Sequence, residues 1–251
     1  MSSSSPLSNE QIEHFKTHGF LVLKSFIEEI HLEGWRQQIW NELASSIETP
    51  ENWPRERTGL DGYEYKPHGS DFGLHPKLWA VVEQLGGGDY VLGDGIPIIR
   101  WPDPEQTWEK PTSGHLDAYG SLLGWSPFMF GATMYLYDVE SKGGSFFYWP
   151  DSHYSAHRYF REHPKQVDGT FLEQEGFSWK VFCENSETGG QEFVANAGDV
   201  VLWHAYLTHE SSANIRNSPR IALFARWYHK RWREENFRYD IPDDLWKHWA
   251  I

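Results

Sequence analysis

The sequence predicts a mainly β fold, a barrel or sandwich with helices packed outside it, and two observations support this prediction. Helical patterns come first and strand patterns later, without the βαβ alternation of a Rossmann-type sheet. From residue 90 onward, many short apolar runs are separated by turn residues, as in all-β barrels and sandwiches. At 251 residues, the chain has the length of one such domain. We therefore expect a single domain over 1–251.

The N-terminal region carries the helical signals. Ser8 and Gln11 match a capping box and Gly19 is a stop signal, so a helix is predicted over Asn9–His18. The apolar run Phe20–Leu23 is predicted to be a buried strand. The other predictions for this region are helices over 28–46 and 76–85, the second with proline in its first turn, and a loop over 47–73.

The rest of the chain is predicted to form strands followed by a tail. The predicted strands are 96–101, 132–137, 144–149, Trp179–Phe182, 192–195, 199–207 and 220–228. The predicted divisions are a disordered tail (1–7), a mostly helical outer part (8–90), a β core (91–228) and a C-terminal extension (229–251). We expect this extension to dock on the domain and to be helical over 243–250.

Composition argues against several classes of partner. Lys+Arg 22 against Asp+Glu 36 gives a formal net charge of −14, which disfavours nucleic acid and anionic membrane surfaces. Cys183 is the only cysteine, so no internal disulfide can form. No apolar run reaches the ~18–20 residues of a membrane span. The N-terminus also lacks the basic and apolar regions of a signal peptide. We therefore expect a cytoplasmic protein. The sequence does not predict its oligomeric state.

Two patches, about ninety residues apart, together carry the residue types of a metal site. His115 and Asp117 are two residues apart, which puts both side chains on one face of a strand. With His209 they make two imidazoles and one carboxylate, the facial triad of non-haem Fe(II) oxygenases. Arg220 follows His209 by eleven residues, and its guanidinium suits the far carboxylate of 2-oxoglutarate. Ser211 could bind the same carboxylate.

Other polar residues near these patches have simpler interpretations. His204 lacks the spacing to a serine and an arginine that His209 has, so we interpret it as a core residue. His153 and His157 are four apart and would share a helix face, but no third ligand accompanies them in the sequence. We interpret both as polar residues at a helix start. Asn214 is predicted to cap a turn.

Four segments of the chain together match the pattern of one family. They are LSNEQIEHFKTHGFLVLKSFI, GHLDAYG, YLYDVESKGGSFFYWPDSH and AGDVVLWHAYLTHESSANIRNSPRIALFARW. The chain resembles the phytanoyl-CoA dioxygenase family of Fe(II)/2-oxoglutarate oxygenases in its opening helix and strand, its His-x-Asp segment, its Pro-Gly-Ser-His stretch and its distal histidine-to-arginine segment. It departs from the family at Asp151, where glycine is usual. The resemblance implies a double-stranded β-helix, or jelly-roll, over 91–228.

The resemblance also implies roles for individual residues. His115, Asp117 and His209 would bind the iron, and Arg220 with Ser211 would bind 2-oxoglutarate. Related halogenases lack the carboxylate ligand, so Asp117 favours hydroxylation over halogenation. The implied activity is a dioxygenase that uses Fe(II), 2-oxoglutarate and O2 to hydroxylate a small molecule, with release of succinate and CO2. Desaturation or ring formation on the same iron stays open beside hydroxylation.

Two other functions stay open at this point. One is a catalytically silent jelly-roll protein that binds a ligand, and the other is a Zn- or Mn-dependent cupin-like enzyme that does not use 2-oxoglutarate. The substrate is also open among an acyl-CoA, an amino acid or other small acid, and a secondary-metabolite scaffold. Four aromatic residues could line the pocket or equally pack in the core, namely Trp101, Trp108, Tyr119 and Trp125. Arg55, Arg57 and Arg100 could gather at the pocket mouth, or Arg100 could pair with a carboxylate of the chain.

Overall fold

The computed structural model describes residues 6–54, 58–59, 72–93, 97–118, 129–168, 176–184 and 186–251. Its strands are β1 (Phe20–Leu23), β2 (Thr58–Gly59), β3 (Tyr90–Leu92), β4 (Pro97–Arg100), β5 (Met129–Tyr135), β6 (Phe146–Tyr148), β7 (Gln191–Glu192), β8 (Val200–His204), β9 (His209–Ser211) and β10 (Arg220–His229). The larger sheet has the order β1-β8-β5-β10-β4-β2, with β3 also paired to β10. The smaller sheet has the order β7-β6-β9. The named strand pairs are antiparallel, and the predicted mainly β fold is confirmed.

The helices lie mostly before and after the strands of the core. They are α1 (Asn9–His18), α2 (Glu29–Glu42), α3 (Pro76–Gly86), α4 (Ser152–Glu162) and α5 (Glu235–Arg238). The predicted bounds of α1 and β1 are confirmed. The Ser8 capping box begins α1, and Gly19 ends it because this residue takes a left-handed conformation (φ 75). Within the described part of the chain, no helix has the length and apolar character needed to cross a membrane.

The core joins the two sheets. Phe146 of the smaller sheet stacks on Trp203 of the larger one, with ring centroids 6.0 Å apart. Trp203 and Trp227 are both fully buried, so these large side chains serve packing in the core. β10 is the centre of the larger sheet, since it pairs with β5 along one side and with β3 and β4 along the other.

The chain changes sheets between the two late histidines, contrary to the single strand predicted over 199–207. β8 ends at His204, and Leu207 N donates to His204 O at 2.8 Å in the turn that follows. The chain then enters the smaller sheet at His209. An apolar run does not reveal such a turn, because all residues from 200 to 209 are buried. The consequence is that His204 and His209 lie in different sheets.

Three other predictions are wrong in detail. Trp179–Phe182 is a 3-10 helix, not a strand, because Ser178 caps it and Phe182 packs on Phe160 of α4. α2 ends at Glu42 instead of continuing to residue 46, because Ala44 takes a left-handed conformation (φ 48). The tail over 243–250 forms turns, not a helix, because Trp246 and Trp249 pack into the core.

The outer segments are docked more firmly than the predicted divisions suggest. Leu7 is buried and exchanges two hydrogen bonds with the Gln84 side chain, at 2.8 and 3.0 Å, so it is not part of a disordered tail. Residues 1–5 lie outside the described residues. The C-terminal extension docks as expected, since Ala250 N donates to Leu85 O at 2.8 Å. β1, β2 and β3 extend the sheet beyond 91–228, and the single-domain division stays a prediction.

Candidate metal centre

A backbone bridge holds the two predicted histidine ligands together. His115 N donates to His209 O at 2.9 Å, and His209 N donates to His115 O at 3.0 Å. The two ring centroids are 4.5 Å apart. This close approach requires glycine before His115, since a Cβ on Gly114 would lie 2.4 Å from His209 O. The spacing of the two rings is therefore set by the backbone.

Asp117 completes a group that we call the sheet group: His115, Asp117 and His209. The nitrogen and oxygen atoms that they offer to a metal all lie within 4.8 Å of one another. Asp117 Oδ1 is 3.7 Å from His115 Nε2, and Asp117 Oδ2 is 3.8 Å from His209 Nε2. His209 Nδ1 bonds Leu207 O at 2.9 Å, so this nitrogen carries the proton and Nε2 keeps its lone pair toward Asp117.

Arg226 contacts the carboxylate of the sheet group. Its Nε donates to Asp117 Oδ2 at 2.9 Å, and both side chains are largely buried. Burial alone would raise the pKa of Asp117, but the charges of Arg226, His209 and His115 outweigh it and lower that pKa. The carboxylate is therefore ionised and held in one orientation. Our sequence reasoning missed Arg226, although its even spacing from Arg220 on one strand places both on the same face.

Glu210 adds a second carboxylate beside the exposed ligand. Its Oε2 is 3.6 Å from His115 Nδ1, on the ring edge opposite the nitrogen that faces Asp117. Burial alone would raise the pKa of Glu210, but the His115 ring and the Ser211 backbone N–H lower it to about 2. In turn, burial lowers the pKa of His115, but Glu210 and Asp117 outweigh it and raise that pKa. Glu210 thus orients His115, and it too was missed.

His209 is the more deeply enclosed of the two imidazoles. Its side chain is 6% exposed, against 44% for His115. Burial, with His115 beside it, lowers the pKa of His209 to about 4. The ring is therefore neutral near pH 7, which is the form that binds metal ions. It stacks on Phe146 with centroids 5.0 Å apart, so packing fixes its plane.

Arg220 and Ser211 meet as the sequence predicts. Arg220 Nη2 donates to Ser211 Oγ at 3.3 Å. Backbone carbonyls orient the rest of the guanidinium, because Arg220 Nε donates to Gly144 O at 2.7 Å and Nη1 donates to Ile98 O at 3.2 Å. The arginine is 1% exposed. Because Ser211 is two residues along β9 from His209, this buried cation adjoins the sheet group on the same face of the strand.

The family follows from a match that spans most of the chain. The family model described as "Phytanoyl-CoA dioxygenase (PhyH)" matches residues 15–222. This range includes the sheet group, Ser211 and Arg220. The chain belongs to the phytanoyl-CoA dioxygenase family. The resemblance inferred from four segments is thereby confirmed, and so is the jelly-roll class of fold that it implied.

Several solved structures share the fold of this protein, although their sequences are at most 20% identical to it. HygX from Streptomyces hygroscopicus, with nickel and 2-oxoglutarate bound, is 20% identical, with a TM-score of 0.59, and covers 88% of this chain and 87% of its own. The non-heme alpha ketoglutarate dependent carbocyclase SnoK from nogalamycin biosynthesis is 16% identical, with a TM-score of 0.62, over 99% and 98%. The epimerase SnoN from the same biosynthesis is 19% identical, with a TM-score of 0.59, over 87% and 82%. The comparison with curated proteins finds no match.

Three histidines that were predicted to be structural, and not metal ligands, have their contacts outside the sheet group. His204 is 1% exposed, its Nδ1 accepts from Tyr206 N at 3.0 Å, and its ring stacks on Trp249. His153 Nε2 bonds Lys16 O at 2.9 Å, and His157 Nε2 bonds Pro242 O at 2.7 Å. These three rings therefore tie the core to the two ends of the chain, in agreement with their structural interpretation.

Two further predictions concern turns. Asn214 behaves as the expected turn residue, since its Nδ2 donates to Arg100 O at 2.9 Å and to Ser218 O at 2.8 Å. Asp151 takes a left-handed conformation (φ 67), which explains why glycine is usual at this family position. Its Oδ1 lies 2.7 Å from His18 Nδ1, so here a side-chain hydrogen bond to α1 accompanies the strained backbone.

Only some of the predicted pocket residues are among those that the structure describes. Trp101 is 4% exposed and its Nε1 donates to Thr58 Oγ1 at 2.7 Å, which places it in the core. Trp108 is half-buried, with the Lys142 ammonium 5.5 Å from its ring centroid. Four other candidates lie outside the described residues, namely Arg55, Arg57, Tyr119 and Trp125.

Proposed function

We propose that this protein is an Fe(II)- and 2-oxoglutarate-dependent oxygenase in which His115, Asp117 and His209 bind the iron. The observation that carries the proposal is the sheet group itself, with two imidazoles and one carboxylate within 4.8 Å. This donor set suits Fe(II) and leaves three coordination positions for other molecules. The His115 side chain is 44% exposed, so this member of the group is accessible from solvent.

The same geometry supports 2-oxoglutarate as the co-substrate. Two residues along a strand span about 7 Å, so Ser211 lies about that far along β9 from His209. Ser211 in turn contacts the Arg220 guanidinium. A five-carbon diacid bound to the iron by its 2-oxo acid end would direct its far carboxylate toward this pair. Buried arginine favours such a carboxylate because its fixed N–H groups match the two oxygens. Bound iron and 2-oxoglutarate would supply the oxidising chemistry, with succinate and CO2 released.

Hydroxylation of a small molecule is the reaction we propose within this class. Asp117 supports it over halogenation, because the carboxylate fills the position that a halide takes in related halogenases. The named relatives include an epimerase and a carbocyclase, so product structure must be determined for this chain. HygX has been crystallised with hygromycin B and SnoN with nogalamycin RO. We accordingly propose a small-molecule substrate, and cytoplasmic location stays a prediction.

Anaerobic binding followed by exposure to oxygen tests this function. We expect Fe(II) and 2-oxoglutarate together, but neither alone, to produce a visible absorption band, and oxygen then to release succinate. A catalytically silent binding protein would bind Fe(II) and 2-oxoglutarate but would release no succinate, whichever compound of a broad substrate panel is added. A cupin-like enzyme would convert substrate with Zn or Mn and no 2-oxoglutarate. Either result would contradict the proposal.

A further inference from the structure

A second group of two histidines and one carboxylate lies on the outer helices. Glu28 is the residue that caps the start of α2, His31 is in its first turn, and His75 caps the start of α3. We call these three residues the helix group. Their ligand atoms all lie within 4.8 Å of one another, as in the sheet group. Each group offers two imidazoles and one carboxylate, which comes from Asp117 in the sheet group and from Glu28 in the helix group.

Local structure brings the helix group together. Glu28 and His31 are three residues apart across the first turn of α2, so their side chains share one face. Pro76 occupies the first turn of α3, which fixes the helix start directly after His75. The His31 and His75 rings are 4.7 Å apart and nearly perpendicular, at 84°. Because the ligands come from two separate helices, only the folded chain can assemble them.

His75 is a buried histidine whose Nε2 faces the Glu28 carboxylate. It is 3% exposed, and within the described part of the chain its Nδ1 is buried without a hydrogen-bond partner. Its Nε2 is 3.9 Å from Glu28 Oε2, which is too long for a hydrogen bond. A metal ion between Nε2 and Oε2 would bind two atoms that are too far apart to bond each other. The Nδ1 atom would stay unbonded, as are the buried His153 Nδ1 and His204 Nε2 in the described part of the chain. Burial and the neighbouring His31 lower the pKa of His75, which keeps the ring neutral and able to bind a metal.

A lysine on the carboxylate does not prevent metal binding in this arrangement. Lys77 Nζ pairs with Glu28 Oε1, while Oε2 is the oxygen that faces His75. In the sheet group, Arg226 contacts one oxygen of Asp117 in the same way. The hydrogen bond from Lys77 also lowers the pKa of Glu28, so the carboxylate is ionised. Each group thus has an anionic ligand that a basic side chain holds at one oxygen.

We propose that Glu28, His31 and His75 form a second divalent-metal site, of the kind that binds Zn(II), and that the ion clamps the start of α2 to the start of α3. Two imidazoles, a carboxylate and one water satisfy the tetrahedral preference of zinc. Zinc bonds of about 2.0–2.2 Å require the ligand atoms to approach to about 3.4 Å. Glu28 is 49% exposed, so its side chain can make this adjustment by rotation.

The test is a zinc titration in a protein whose sheet group has been disabled. In the His115→Ala/Asp117→Ala background, we expect one equivalent of Zn(II) to bind, measured against a chromophoric chelator. Adding His31→Ala should remove it, with an affinity loss beyond the roughly 10–100-fold typical of outer-shell changes. The matched control is His163→Ala, which alters an exposed histidine of another segment and should keep the equivalent.

A second variant avoids any effect of the buried His75 on folding. Glu28→Gln changes an exposed side chain, so the metal-free protein should unfold as the background protein does, yet zinc affinity should fall. Cobalt(II) bound in place of zinc should show the absorption of a tetrahedral site. The proposal is overturned by the absence of zinc in the background protein, or by zinc that survives both His31→Ala and Glu28→Gln. Neither result depends on whether the sheet group binds iron.

Discussion

The sheet group and the helix group both combine two imidazoles with one carboxylate, but they hold these side chains in different frameworks. In the sheet group, Asp117 and His209 are 3% and 6% exposed, and a reciprocal backbone bridge fixes His209 against His115. In the helix group, Glu28 is 49% exposed and His75 is enclosed without a bond at Nδ1. The first framework holds its geometry before any metal arrives, whereas the second can adjust to the ion. Rigid placement suits a reacting centre, and adjustable placement suits a clamp.

The largest expected effect separates the two groups completely. Asp117→Ala should lower turnover by at least about a hundredfold, since even outer-shell changes at metal sites cost 10–100-fold. Zinc binding by the helix group should be unchanged. The measurements are succinate release and metal content after gel filtration. His209→Ala should behave in the same way, while His204→Ala should keep its iron. Iron lost from His204→Ala but kept in His209→Ala would reverse the ligand assignment.

Replacing the buried arginine should affect the co-substrate and not the metal. Arg220→Lys keeps the charge but loses the planar set of donors, so we expect the 2-oxoglutarate KM to rise about 10–100-fold. Iron affinity should stay close to that of the wild type. Arg216→Lys is the matched control, because Arg216 lies on the neighbouring surface loop and its Nε donates to Ser141 O at 2.8 Å. An unchanged KM in Arg220→Ala would make Arg220 a purely structural residue.

The basic partner of Asp117 should matter less than the ligand itself. Arg226→Leu leaves Asp117 without its hydrogen bond at Oδ2, so iron affinity should fall about 10–100-fold, as for other outer-shell partners. Arg226→Lys should recover part of this loss because it retains the charge. Equilibrium dialysis against Fe(II) would measure both. If the two variants bind iron as tightly as the wild type, Arg226 serves only the packing around Trp203.

The corresponding change in the helix group should have the smallest effect. Lys77 is 48% exposed, and exposed ion pairs are worth about 0–1 kcal/mol. Lys77→Met should therefore change zinc affinity by about fivefold or less. The same zinc titration measures it. A larger change than that of Arg226→Leu on iron would show that exposure does not govern how strongly each basic partner acts.

Features with local causes could be predicted from the sequence. The capping box and Gly19 define α1, and the four residues after it define β1. The sheet group could also be predicted, because His115 and Asp117 are two apart and His209 is eleven before Arg220. These are short spacings within two segments of the chain, which a sequence displays directly.

Features that depend on distant neighbours could not be predicted in the same way. Glu210 contacts His115 and Arg226 contacts Asp117, which are far from them in the chain, so the sequence does not show which residue each of them meets. The helix group joins residues 28, 31 and 75, which no motif connects. The tail over 243–250 has a helical pattern, but packing of Trp246 and Trp249 against Phe15 overrides it. Tertiary packing thus decided the parts that sequence reasoning missed.

The pairing of β1 with β8 has a consequence for the order in which the protein is made. Phe20 pairs with Trp203, and Leu23 pairs with Val200, so about 180 residues of chain separate the partners. At a synthesis rate of about 5–20 residues per second, the apolar segment 20–23 waits roughly 10–40 s for its partner strand. During that interval it is exposed to chaperones and to other nascent chains. Although β1 precedes the other strands of this sheet along the chain, it can thus pair only after β8 has been made.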